Sequence, residues 1–216
     1  MLISLGLLLA LEGIWPVTLV SGGSFLAYLS LNRKRLVRLR PLGGYANWIT
    51  LSRLALLIAA GSLQTNWHPY WSFLAFLLVI VTDGIDGYLA RRYQQQSEIG
   101  ATLDIETDAL LCFVLAAIHY QSGFAGGWIL LAGSLRYLYV LALPLFRLEK
   151  VEAPAAPYAR LIGVLFVSGL LAPFVLPEWL AFSTLALGCA LVAGSFALSF
   201  GLKYRAGNLQ KRARLK

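Results

Sequence analysis

Apolar positions in this chain do not alternate with polar ones. They run in blocks at about 3–31, 47–62, 71–92, 100–121, 127–147, 158–175 and 180–202, parted by short polar connectors. Several blocks reach the roughly 20 residues that a helix needs to cross a bilayer. The pattern predicts an all-α protein, a polytopic membrane bundle of seven helices. The block at 3–31 could pass for a signal peptide, but it lacks a basic leader and its basic cluster follows it. It reads as an anchor, bent at Pro16, with residues 33–45 lying along the membrane surface behind it.

Composition strengthens this reading. The 216 residues are 59% hydrophobic and 13% charged, whereas a soluble domain is nearer half apolar and a quarter charged. No linker, internal repeat or low-complexity tract divides the chain. The expected organisation is an N-terminal anchor and basic segment at 1–45, a membrane domain at 46–203 and a basic tail at 204–216.

The net charge of +8 would suit nucleic acid if the basic residues formed one patch. They do not. Five lie in "RKRLVRLR" (33–40), two are Arg91 and Arg92, two are Arg147 and Lys150, and six fall between Lys203 and Lys216. The connectors "GSLQTNWHPYW", "QSGFAGG" and "PFVLPEW" have none. Alternate loops are therefore basic and bare, the positive-inside pattern. It predicts the N-terminus outside, the C-terminus in the cytoplasm and no nucleic-acid partner. Trp67, Trp71, Trp128 and Trp179 fall at the bare ends, as an aromatic belt would. Cys112 and Cys189 lie in apolar blocks and read as small buried hydrophobes. His68 and His119 have no ligand-like neighbours.

Against this background the stretch "DGIDGYLARRYQQQSEIGATLDIETDAL" (83–110) stands out. Six of the ten acidic residues and all four aspartates lie between Asp83 and Asp108. Asp83 and Asp86 are three apart, and Asp104 and Asp108 four apart, so each pair shares one helical face. Counted from the turn between the two blocks, Asp86 matches Asp104 and Asp83 matches Asp108. At 1.5 Å per residue these form two layers, roughly 6–8 Å and 12 Å from the turn. If the faces meet, four carboxylates converge just inside the membrane boundary.

One aspartate in a membrane helix costs on the order of 3 kcal/mol, and crowded like charges cost more. Within this hairpin the only arginines are Arg91 and Arg92, both at the turn. Hard divalent cations, Mg²⁺ or Mn²⁺, suit such oxygens better, and two of them could clamp a diphosphate. Gly84, Gly87 and Ala90 form a small-residue stripe beside the acidic face, suited to close helix packing or to a ligand approaching the backbone. Gly100 opens the next helix, whose free N–H groups favour phosphate. Glu106 lies about 200° around the helix from Asp104 and should point away from the cluster.

The full pattern is D83-x2-D86-G87-x2-A90-R91-x8-G100-x3-D104-x3-D108. It resembles the signature of the CDP-alcohol phosphotransferase (phosphatidyltransferase) family of integral membrane enzymes, in every fixed residue and both gap lengths. The resemblance implies a six-helix core from residue 47 onward, with the helix at 3–31 an addition. It also implies transfer of a phosphatidyl group from a CDP-linked donor, usually CDP-diacylglycerol, to an alcohol, with release of CMP. By the motif, Asp83, Asp86 and Asp104 look like metal ligands, and Asp108 like a further ligand and the general base. Gly87, Ala90 and Arg91 look like contacts to cytidine and diphosphate. Upstream, "ANWITLSR" is similar to the family's first core helix, where Asn47 and Thr50 would border the nucleotide. Asn47, Thr50 and Arg53 fall three apart on one face.

Arg136 sits deep in its apolar block and Arg160 near the start of the next. Family members using phosphorylated alcohols place basic residues of the later helices around the acceptor phosphate, so these two are the candidate acceptor contacts. Arginine's fork matches phosphate oxygens. The chain lacks a clear copy of the lysine-rich acceptor motif of some members. Glycerol phosphate, inositol phosphate, serine and a phosphatidylglycerol-like lipid all stay open. A homodimer is expected.

Two other classes compete. A prenyltransferase-like diphosphate enzyme would need a second acidic motif, which is absent. A divalent-cation transporter would place carboxylates near the midplane on broken helices, whereas these lie at the inner edge.

Overall fold

The computed structural model describes residues 45–63, 68–92, 98–146, 148 and 158–214. The expected anchor at 3–31, the basic segment behind it and the turn at 93–97 lie outside these residues. Among the described residues six α-helices follow one another: α1 (Tyr45–Leu63), α2 (Pro69–Arg92), α3 (Glu98–Gln121), α4 (Trp128–Leu145), α5 (Ala159–Leu171) and α6 (Glu178–Arg214). A 3₁₀ turn at Ala172–Phe174 links α5 to α6, and the described residues contain no strand. Each helix begins within two residues of the block that predicts it.

The far end of α6 differs. The expected span stops at 202, but the helix continues to Arg214. Its last turns, "KYRAGNLQKRAR", are rich in good helix formers, and basic side chains suit the negative end of a helix dipole. At 37 residues the helix is roughly 55 Å long, well beyond a hydrocarbon core of about 30 Å. The basic end therefore projects out of any membrane that the apolar part crosses.

α4 and residues 178–207 of α6 are long and apolar enough to cross a membrane, yet only 22% of each is buried inside the molecule. Leu131, Leu141, Leu145, Leu187 and Leu198 all face outward. Apolar surface on this scale is unusual on a water-soluble monomer and suits lipid. α5 with its 3₁₀ extension forms a shorter apolar stretch, Ala159–Phe174.

α3 is the central helix. From Ala109 to Ile118 every residue except Cys112 is buried, as expected of a helix that is apolar all round. It packs against α4, α1 and α5. α1 buries Arg53, Leu54, Leu57 and Ala60, a single stripe, and lies against both α2 and α3. Among the described residues, α2 and α3 pack mainly through α1 and little against each other.

The opposite end of the bundle is sealed by aromatic rings. His119 and Phe174 lie 5.1 Å apart, Phe76 stacks on Phe174 at 6.0 Å, and Phe124 and Trp128 both meet Phe182. His119 Nε2 is 2.7 Å from the Leu170 carbonyl, beside the 3₁₀ break that Pro173 enforces. His68 lies at the start of α2, where its Nδ1 accepts from the Tyr70 N–H at 3.3 Å. Gly123 closes the α3–α4 turn at φ +73°, which favours glycine. Trp71, Trp128 and Trp179 are exposed at the starts of α2, α4 and α6; Trp67 lies outside the described residues. Both cysteines are free thiols.

α5 and α6 touch backbone to backbone at paired glycines. A Cβ on Gly169 would stand 2.9 Å from the Thr184 carbonyl oxygen, and one on Gly188 would stand 3.1 Å from Phe166 Cα. Gly169→Ala is therefore expected to push the helices apart and destabilise the protein by about 1–3 kcal/mol. Thermal unfolding in detergent checks this, and an unchanged Tm would show that the contact can relax.

Candidate active site

Asp83 ends the apolar part of α2, and Asp104 and Asp108 stand one turn apart on α3. Between them lies Arg53 of α1, only 2% exposed. Its Nη1 pairs with Asp83, and its Nη2 reaches Asp104 Oδ1 at 2.7 Å and Asp108 Oδ1 at 3.6 Å. Counting arginines within the hairpin alone therefore understates the cations at hand: the partner comes from the preceding helix. In the sequence Asn47, Thr50 and Arg53 fall three apart, the spacing of one helical face, and that spacing was the signal available for Arg53. α1 brings Arg53 to the aspartates of both neighbouring helices.

One oxygen from each of Asp83, Asp104 and Asp108 lies within 4.8 Å of the others. Opposite ligands of an octahedral ion are about 4.2 Å apart at Mg–O lengths near 2.1 Å, so small side-chain rotations bring these oxygens onto one ion. Charge points the same way. Three carboxylates against one guanidinium leave two formal negative charges, the charge of one divalent cation. The carboxylate set therefore fits a hard divalent ion.

The backbones of the other motif residues fall on the same elements: Asn47 and Thr50 on α1, Asp86, Gly87, Ala90 and Arg91 on the last turns of α2, and Gly100 on the first turn of α3. Their side-chain surroundings lie outside the described ones. The structure thus brings together three of the four aspartates and leaves Asp86 placed only by its helix.

The cluster opens into a cavity of about 830 Å³, lined by Arg53, Asp83, Asp104, Asp108, Arg136 and Arg160 among mainly apolar neighbours. Arg136 and Arg160, more than fifty residues from Asp83 in sequence, thus share one chamber with the aspartates. Arg160 is exposed at the start of α5. Arg136 Nη2 lies 3.4 Å from Glu106 Oε1. Glu106 is not part of the carboxylate group and meets Arg136.

The sequence model of the family described as CDP-alcohol phosphatidyltransferase matches residues 44–196. Among curated proteins, the CDP-diacylglycerol–glycerol-3-phosphate 3-phosphatidyltransferase of Sodalis glossinidius is 38% identical over 81 residues, 35% of this chain and 44% of that protein. The Escherichia coli K12 protein of the same name is 38% identical over 80 residues, 34% of this chain and 44% of its own length. A Yersinia pestis counterpart is 37% identical over 81 residues. The chain spans less than half the length of the curated relatives it matches. No solved structure matches it. With the family match running from the start of α1 into α6, across the whole aspartate cluster and its cavity, the chain belongs to the CDP-alcohol phosphatidyltransferase family.

Proposed function

We propose that this protein transfers the phosphatidyl group of CDP-diacylglycerol to a small anionic alcohol and releases CMP. One observation carries the reading: the aspartate cluster and two arginines from later helices line the same cavity. The names of the relatives favour glycerol 3-phosphate as the alcohol. A volume of about 830 Å³ falls within the range of small-molecule sites. It suits a nucleotide diphosphate headgroup and a small alcohol, with the acyl chains left outside against the apolar helix faces.

In this reading the alcohol oxygen attacks the phosphatidyl phosphorus, and the bond from that phosphorus to the bridging oxygen breaks. The electron pair leaves with CMP. Asp108, exposed toward the cavity, accepts the alcohol's proton. Asp83, Asp86, Asp104 and Asp108 would hold two ions, Mg²⁺ or Mn²⁺, supplying charge to neutralise the diphosphate. Arg53 keeps Asp83, Asp104 and Asp108 converged. Asn47, Thr50, Gly87, Ala90, Arg91 and Gly100 border the nucleotide and diphosphate. Arg136 and Arg160 face the acceptor's phosphate. The protein sits in the bacterial inner membrane as a homodimer, its N-terminus outside and its cavity and C-terminus toward the cytoplasm.

Purified protein with CDP-diacylglycerol, a divalent salt and a panel of alcohols tests this, with the lipid product read by mass spectrometry. CMP release with glycerol 3-phosphate is expected, and no CMP with any alcohol would overturn the reading. Arg160→Ala should raise the acceptor KM about tenfold or more, since a hydrogen bond to a charged group contributes about 1.5–3 kcal/mol. The donor KM should stay near wild type. An unchanged acceptor KM would remove Arg160 from the site.

A further inference from the structure

Glu106 lies between two motif aspartates but is not among the residues that line the cavity. It stands behind Arg136, which does. Arg136 is eight residues from the start of α4 and nine from its end, roughly 12 Å from either, in a helix apolar enough to cross a membrane. A guanidinium at that depth needs a counter-charge or a polar cavity, and here it has both. α4 comes close enough because Gly133, one turn earlier, lies against α3: a Cβ there would stand 2.7 Å from Ala116 Cβ and 3.1 Å from the Cys112 carbonyl oxygen.

The pair does not saturate the arginine. Contact runs through one nitrogen, Nη2, at 3.4 Å, with Arg136 and Glu106 side chains 33% and 24% exposed. Arg136 Nε is buried without a hydrogen-bond partner among the described residues, and a guanidinium has five N–H donors. Contact through Nη2 alone leaves Nη1 for a second oxyanion on the cavity side. Neither a lone structural arginine nor a closed, bidentate ion pair would leave this arrangement.

We infer that Glu106 is a positioning residue for acceptor recognition: it anchors Arg136 from behind so that the remaining donors meet the anionic group of the alcohol. The inference rests on the anionic-acceptor reading above. Removing the anchor frees the arginine to turn and weakens acceptor binding, while leaving the cytidine and diphosphate contacts, made on α1–α3, as they were.

Steady-state kinetics with CDP-diacylglycerol and glycerol 3-phosphate test it. Glu106→Ala should raise the acceptor KM about tenfold, the loss of one well-placed charge-assisted contact, with kcat and donor KM within about twofold of wild type. Glu106→Gln retains an oxygen for Nη2 and should recover part of the loss. Adding Glu106→Ala to Arg136→Ala should change the acceptor KM no further, since coupled residues are non-additive. Additive effects, or equal loss in donor KM, would overturn the inference. If Glu106→Ala does not fold, Arg136→Ala is compared with the double variant, which leaves no lone charge: equal acceptor KM values support the inference and a further rise overturns it. Wild-type transfer to no anionic alcohol would remove the underlying reading as well, which separates the two failures.

Discussion

Asp108→Asn is expected to lose about 10²- to 10⁴-fold in turnover, the usual contribution of a positioned general base, while still binding CDP-diacylglycerol. Asparagine keeps the shape and one oxygen but cannot take a proton from the attacking alcohol. Asp108 is the most exposed of the three described carboxylates and the most distant from Arg53, at 3.6 Å. Its carboxylate also lines the cavity. Donor binding by the purified variant and single-turnover rates separate the two roles. A variant with its maximal rate intact and only a weaker donor affinity would make Asp108 a binding residue.

Excess chelator should abolish turnover, and Asp83→Asn, Asp86→Asn or Asp104→Asn should each reproduce the loss in a folded protein. Divalent ions contribute several kcal/mol of charge stabilisation in such reactions, and each 1.36 kcal/mol is tenfold in rate. A loss of about a thousandfold or more follows. After either Asp83→Asn or Asp104→Asn, Arg53 keeps two carboxylate partners. Circular dichroism and size-exclusion chromatography establish folding. Wild-type turnover in excess EDTA would refute the metal assignment, whatever the variants do.

Much of this site was legible because its chemistry is local. The three- and four-residue spacings fix which carboxylates share a helical face, and helix geometry fixes their distance from the turn. Asp83, Asp104 and Asp108 meet accordingly. What the spacing could not show was the lateral arrangement of the helices. α1 lies between α2 and α3, so Arg53 reaches a carboxylate 51 positions away. The partnership of Glu106 with Arg136 spans 30 positions and was hidden for the same reason: an angle around one helix says what a side chain turns from, not what it meets. The length of α6 was missed on different grounds. Its polar end has no apolar stripe to reveal it, and intrinsic propensity alone carries the helix onward.

The arginine at the centre of the cluster also bears on how the protein is made. A chain entering a membrane with several bare carboxylates would depend on an ion being present at that moment, as small metal-nucleated domains do. Here α1 precedes α2 and α3 in the chain, so a guanidinium that offsets one of the three charges is synthesised before the acids it will meet. Assembly of the three helices can therefore run ahead of ion loading.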